Sequence, residues 1–588
     1  MTSEISKGIL QTAGNEMNFN SILDTSGTVF IDDRDAGLDR GSSYSLCDPI
    51  DIIIAQSVNE VAEALIRLDE RIRAGKYVAG YIAYDAGLAL DKPIRSRHSH
   101  PSPVLWLGVY DNCLRFEADK VDLGESGAVT DVQDIRLNID ESEYLDRVER
   151  AKQYISAGDV YQVNYTCKLR FKHTARPASL FARLRRAHPV PHAAFINTGE
   201  EQVISLSPEL FLRREGQKVL TRPMKGTMKR GRWFEEDQAM MRRLSTDEKN
   251  RAENLMIVDL MRNDIGRVCR IGQVDVTRLF HVERYASLFQ MTSDVVGVLQ
   301  EETSARDLLR AVFPPGSVTG APKIRAMEII DELEHEARGV YCGSIALFQP
   351  NGDCLLNVVI RTIVQRGEEC EMGVGSGIVA DSDARLELAE TRLKGYFLGA
   401  EHRSFHLLET MRLRADGKFV FLEEHIERMR GSAAYFGWDF PETCLREALE
   451  GVASKVTGDT RVRLLLAEDG NSRVQCSEIG PPSNQPVRVL LASRKTDPSD
   501  LFSYHKTTRR EAYDADWRKA HEEGYFDLIY LNTNGEVTEG AITNLIANID
   551  GRWFTPPLRS GLLPGIWRAQ KLKQNHVEER VLTWEDLL

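Results

Sequence analysis

At "GYFLGAEHRS", residues 395–404, one pattern of the chain stops and another begins. That break constrains the fold more than any single motif does. Before it, strand-like runs such as "VISLSPELFL" and "GSIALFQP" alternate with amphipathic stretches such as "ESEYLDRVERAKQYISAG". After it, "FHLLETMRLRADGKFVFLEEHIERMRGSAAYFGW" reads as a strand, a turn at "ADGK", a second strand and a helix. The reading is a large mixed α/β (α+β) unit over 1–400 and a second unit over 401–588. Within the second, "IGPPSNQPVRV" (479–489) gathers prolines and a glycine between two apolar runs, which predicts a hinge between two lobes. A chain of 588 residues is too long for one core, and no internal repeat is visible.

Charge and cysteine usage narrow the partners. A formal net charge of −13 argues against a broad nucleic-acid or anionic-membrane footprint and leaves room for a local basic pocket. The nine cysteines form no CxxC pair and no zinc or disulfide spacing, which fits reduced thiols in a cytoplasmic protein. The N-terminal stretch lacks the apolar centre of a signal peptide, and no run of about eighteen apolar residues occurs.

Three stretches of the first unit can carry chemistry. "LTRPMKGTMKRG" sets Lys225 between Pro223 and Gly226, as a turn would. A turn lysine ordinarily points at water. This one follows by sixteen positions Glu209 of "SLSPELFLRR", a carboxylate in a strand-like segment. In "FPPGSVTGAPKIRAMEIIDELE", Thr319 can cap and Pro322 can open a helix. That fits either an ordinary capped helix or an anion site at its N-terminus. "DEKNRAENLMIVDLMRNDIGRV" reads as a helix with Glu253 on the face of Ile257, Leu260 and Met261, a costly place for a carboxylate without a partner or metal. "GVGSGIVADSDARLELAETRLKGY" spaces Glu387, Glu390 and Lys394 along one helical face. Such carboxylates suit Mg²⁺.

These segments, with "RPMKGT", "YCGSIAL", "NVVIRT" and "ELAET", resemble the chorismate-utilising enzymes over residues 20–400. The resemblance implies a two-sheet sandwich that binds chorismate. Glu253 and Glu390, with Glu387 beside them, match its Mg²⁺ carboxylates. Tyr341, Arg361, Lys394 and the amides around Gly375 and Gly377 match the groups that hold the substrate carboxylates. Glu209 matches the acid that protonates the departing C4 hydroxyl, and Thr227 a threonine near the ring. Anthranilate synthases resemble "PIAGT" at the turn. The aminodeoxychorismate synthase branch resembles "PIKGT", with a lysine that attacks C2 before ammonia adds at C4. Lys225 is then expected to be a nucleophile, its pKa lowered by desolvation and by Arg222, Lys229 or Arg230. Gln162 stands where isochorismate and salicylate synthases carry a water-activating lysine. Gln290 stands where many relatives have histidine. No Cys-His-Glu glutaminase motif is visible, so ammonia is expected from a separate glutamine amidotransferase subunit or from solution.

In the second unit, "YHKTTRREAYDAD", "GEVTEGAITNLIA" and "FTPPLRSGLLPGIWR" together resemble the fold-type IV pyridoxal-phosphate enzymes. By that resemblance Lys506 binds the cofactor aldehyde, Glu539 pairs with the pyridinium nitrogen, and Arg428 and Thr543 contact the phosphate. Behind a chorismate-aminating unit, the implied activity is aminodeoxychorismate lyase. The chain ends at "VLTWEDLL", soon after "LLPGIWR", where such relatives continue; a non-catalytic interaction module over 404–588 is the other reading.

Overall fold

The computed structural model describes residues 22–34, 41–91, 93–118, 121, 123, 131–399, 404–455, 458–480 and 485–588. Two compact units emerge. The first takes the chain to Met228 and resumes from Leu244 to His402; the second comprises Lys229–Arg243 and the chain from Arg403.

The first unit holds two ten-stranded sheets whose strands pair antiparallel. One runs in the order Gly320–Ala321, Gln162–His173, Glu369–Ile378, Thr362–Arg366, Gln202–Ser207, His192–Asn197, Thr28–Asp33, Ser42–Leu46, Leu114–Glu117, with Val132–Leu137 also on Gln162–His173. The other runs Met224–Lys229, Leu288–Leu299, Lys218–Thr221, Leu210–Glu215, Cys354–Asn357, Ser344–Phe348, Tyr77–Ile82, Leu105–Tyr110, Asp51–Ala55, with Cys269–Arg284 on Leu288–Leu299.

The two-residue period of a strand explains how these sheets stack. Val29 and Ile31 join Ala79, Tyr81, Ala194, Ile196, Ile345 and Leu347 in a core built from both sheets. Their neighbours Phe30, Val78, Ile82, Phe195, Ala346 and Phe348 point the other way, into a core shared with helices. Those helices include Val61–Arg73, Glu141–Ser156, Pro177–Ala187, Glu248–Gly266 and Lys323–Leu333. The expected sandwich is present.

Local corrections have plain causes. Thr319 does not cap a helix: its hydroxyl donates to Pro315 O and Gly316 O, and Gly320–Ala321 separates it from Lys323–Leu333. At that helix start, the buried Lys323 amine binds Asp264 and Val312 O, so the stretch is a packed helix entry.

The second unit has two lobes. In one, the antiparallel sheet Leu407–Leu413, Thr460–Leu466, Ser472–Glu478 packs on helices Leu422–Phe436 and Glu442–Ala453 through Met411, Ile426, Met429, Leu445 and Val462. The other contains Val489–Leu491 beside Asp527–Leu531 and Val537–Gly540, a small sheet Ala547–Ile549, Arg552–Thr555, Glu578–Glu579, and helices Glu511–Glu522 and Ile566–Lys573. The strand expected after "ADGK" is reduced to one bridge, Leu413 to Phe419, before the helix begins at Leu422. The expected hinge falls partly outside the described residues. Segment Lys229–Arg243 joins this unit through polar contacts: Tyr435 Oη donates to Gly231 O, and His505 Nε2 lies 3.1 Å from Arg232 O.

Candidate functional site

Lys225 lies not in a turn but in the strand Met224–Lys229, the edge strand on Leu288–Leu299. Gly226 follows with φ +99, a backbone conformation only glycine adopts freely. Asn254 of the helix Glu248–Gly266 fixes this strand: its Nδ2 donates to Lys225 O and Met291 O, while its Oδ1 accepts from Ser293 Oγ. Asn254 escaped the sequence reading. A fully buried amide one position after Glu253 is its signature.

Burial holds the Lys225 amine below the usual lysine value. Glu253, Glu390 and Glu387 oppose that shift and Lys394 adds to it, so all four surround the same amine. The expected cationic neighbours act elsewhere. Arg222 is forked onto Asp294 at 2.6 and 3.1 Å, and Arg230 onto Asp237.

Glu209 follows Pro208, which interrupts the run "VISLSPELFL" between Gln202–Ser207 and Leu210–Glu215. It is 4% exposed, and burial pushes its carboxyl up to about 7 although the Ser317 hydroxyl, Met224 N–H and Lys225 all favour the anion. A buried acid with a pKa near neutrality beside a depressed amine is a poised acid–nucleophile pair.

Gly377 shows how closely the groups converge. A Cβ built on it would lie 2.6 Å from Lys225 Nζ and 2.8 Å from Gln162 Nε2. Gln162 is fully buried, and neither its Oε1 nor its Nε2 has a partner. An unsatisfied buried polar group costs about 1–3 kcal/mol, so this amide is placed for something other than the fold.

The remaining expected residues are distributed around this centre. Lys394 Nζ donates to Gly375 O at 2.6 Å and pairs with Glu390 at 2.8 Å. Glu387 accepts from Ser382 Oγ. Thr227 donates to Gln290 Oε1 at 2.9 Å, which leaves the Gln290 amide hydrogens to offer. Gly375 and Gly377 lie in the ladder opposite Thr166 and Asn164. The Tyr341 ring packs against Gly373, where a Cβ would come within 2.0 Å of it. Arg361 has φ +50, and burial depresses its guanidinium pKa. Left-handed backbone at a bulky residue persists only where the surroundings enforce it.

Three carboxylates around one amine are the hard-oxygen donors that Mg²⁺ takes. Among the described residues no group of three or more His, Cys, Asp or Glu stands close enough to hold a metal ion on its own. Substrate oxygens would complete such a shell. A separate cavity of about 370 Å³, lined by His192, Pro208, Arg222, Glu283 and Tyr285, touches none of the three.

In the second unit, Lys506 sits in a loop whose carbonyl accepts from Leu408 N–H. It lines a cavity of about 240 Å³ together with Glu539, Thr543, Arg509 and Arg510. Burial, then Arg428, brings the Lys506 amine down to about 8. Burial raises Glu539 to about 8 while Leu563 N–H and Asn544 Nδ2 donate to it. Arg428 forks onto Glu409 at 2.8 and 2.6 Å and donates to Pro564 O, which still leaves guanidinium hydrogens for an anion. Thr543 spends its hydroxyl proton on Asp527. A poised amine, a carboxyl that can face a ring nitrogen and a cation for phosphate fit pyridoxal phosphate.

Residues 32–399, more than half the chain, match the family model described as chorismate binding enzyme, and the chain belongs to that family. Residues 406–588 match the model for amino-transferase class IV. Particular relatives follow from this. Anthranilate synthase component 1 of Aquifex aeolicus is 44% identical over 261 residues, 44% of this chain and 53% of its own. Aminodeoxychorismate synthase component 1 of Bacillus subtilis is 42% identical over 269 residues, 46% of this chain and 57% of its own. The matched stretch thus spans little more than half of either relative. Among solved structures, anthranilate synthase component I from Streptococcus pneumoniae superposes with a TM-score of 0.55 at 28% identity, covering 62% of this chain and 93% of that one. Among the described residues, no helix is long and apolar enough to cross a membrane.

Proposed function

We propose that the first unit aminates chorismate at C4 to 4-amino-4-deoxychorismate, and that the second converts this to 4-aminobenzoate and pyruvate. The carrying observation is the buried, depressed amine of Lys225 opposite the near-neutral acid Glu209. Relatives of similar identity have been named for C2 and for C4 amination, so relatedness alone does not choose between them. The lysine does.

Lys225 attacks C2 through its neutral amine, the ring double bonds shift, and the C4–O bond breaks as Glu209 delivers its proton, releasing water. Ammonia then forms the C4–N bond, the shift reverses and the C2–Nζ bond breaks, which returns Lys225 as a neutral amine. The ammonium so formed at C4 loses a proton, and Glu209 is reprotonated. Lys394, Arg361 and Tyr341, with the backbone around Gly375 and Gly377, orient the substrate carboxylates. Magnesium, when bound, neutralises substrate carboxylate charge, and Glu253 and Glu390, with Glu387 beside them, would hold it.

In the second unit, pyridoxal phosphate supplies an electron sink that makes the substrate's C4–H acidic. Lys506 would hold it, with Glu539 toward the ring nitrogen and Arg428 and Thr543 toward the phosphate; its freed amine removes the C4 proton. Ammonia would come from a separate amidotransferase component or from solution.

The test is the product made from chorismate, ammonium and magnesium. Amination at C4 is expected; 2-aminobenzoate as the main product would contradict the reading.

A further inference from the structure

An amide that is fully buried and bonded to nothing, beside the amine of Lys225, has no structural reason to be glutamine. Methionine or leucine would fill the same space without leaving a polar group dry. Gln162 opens the strand Gln162–His173, where its backbone pairs with Ala321 and its neighbour Val163 pairs with both Gly320 and Ile378. The side chain is therefore delivered by a rigid ladder. It reaches the space over Gly377 that Lys225 Nζ also occupies, and only a residue without Cβ leaves that space open.

We propose that this space holds the incoming ammonia, with Gln162 as its positioning residue. The inference rests on C4 amination by the first unit. Gln162 Oε1 accepts one N–H of ammonia, which turns the nitrogen lone pair toward the ring, and Nε2 is left to donate to a substrate oxygen. A neutral acceptor suits this task. A carboxylate there would favour ammonium, which has no lone pair, and an ammonium side chain would offer no acceptor. In the bond-forming step the ammonia lone pair becomes the C4–N bond and the C2–Nζ electron pair returns to Lys225. Gln162 gains and loses no proton. Its amide thus selects an amine nucleophile by geometry, and Glu209 and Lys225 do the chemistry.

Gln162→Met tests the assignment in the full chain, because it keeps the volume and removes both polar atoms. At fixed pH and saturating chorismate, the KM for ammonia should rise at least tenfold while the KM for chorismate moves less than threefold. Without ammonium, the covalent adduct on Lys225, read by intact mass, should form to the wild-type level. The melting temperature should not fall, since the amide has no protein partner to lose. An unchanged KM for ammonia, or adduct yield falling in step with turnover, would overturn the assignment and place Gln162 on the lysine or the ring. A wild-type chain that forms no adduct would instead overturn the covalent route. The KM for ammonia in Gln162→Met would still decide the role of the glutamine.

Discussion

Glu209 is where burial does most for chemistry. Its carboxyl is raised to about 7 although three neighbouring groups favour its anion, so desolvation outweighs them. A general acid must hold its proton. With rising pH, Glu209 loses that proton through about 7, and kcat/KM for chorismate should fall across the same window. Below that window the acid is fully available, so Glu209 imposes no loss there. Glu209→Gln should cut turnover by about 100-fold or more and erase this limb of the pH profile. Survival of the limb in the glutamine variant would assign it to another group. Lys225 shows what the sequence could and could not disclose. Its proximity to a carboxylate motif was legible, yet Lys394, the cation that helps depress it, lies far along the chain and arrives only through the sheet and helix that follow. The local arginines that seemed fit for the task are spent on Asp294 and Asp237.

At the scale of elements, the strand Glu369–Ile378 carries two glycines with different duties. A Cβ on Gly375 would meet Tyr165 O, a backbone atom, at 2.3 Å, whereas one on Gly377 would meet only the flexible ends of Lys225 and Gln162. Gly375→Ala should therefore lower the melting temperature by several degrees. Gly377→Ala should fold normally and lose about 100-fold in activity, because a small displacement of reacting groups is that costly. Equal melting temperatures with equal activities would refute this division. Helices Glu141–Ser156 and Glu248–Gly266 were readable from apolar period and from Asp140 and Asp247 as caps, and the structure keeps both caps. The Lys225 segment was not, since Pro and Gly spell a turn locally while pairing with Leu288–Leu299 makes it a strand. The lost strand after "ADGK" is the reverse case: residues of strand character there find only one bridging partner.

At the scale of the molecule, the two units divide the proposed chemistry between them. Lys506→Ala should leave chorismate consumption intact and cause 4-amino-4-deoxychorismate to accumulate in place of 4-aminobenzoate and pyruvate. The visible or near-ultraviolet absorbance of bound pyridoxal phosphate should be lost from the same variant. Full 4-aminobenzoate output from Lys506→Ala, or a wild-type chain that binds no cofactor, would make residues 404–588 a module without this reaction. A chain in which neither unit depends on the other's catalytic lysine is what the proposed sequence of reactions requires.

The central claim is that Lys225 attacks the ring. Its most direct measurement is mass analysis of the chain after incubation with chorismate and magnesium in the absence of ammonium, with wild type and Lys225→Ala side by side. The account predicts a mass increase of chorismate minus water on the wild-type peptide containing Lys225, and none on the alanine variant, which should make any residual product at C2. An unmodified Lys225 peptide together with unchanged C4 product from Lys225→Ala would contradict it.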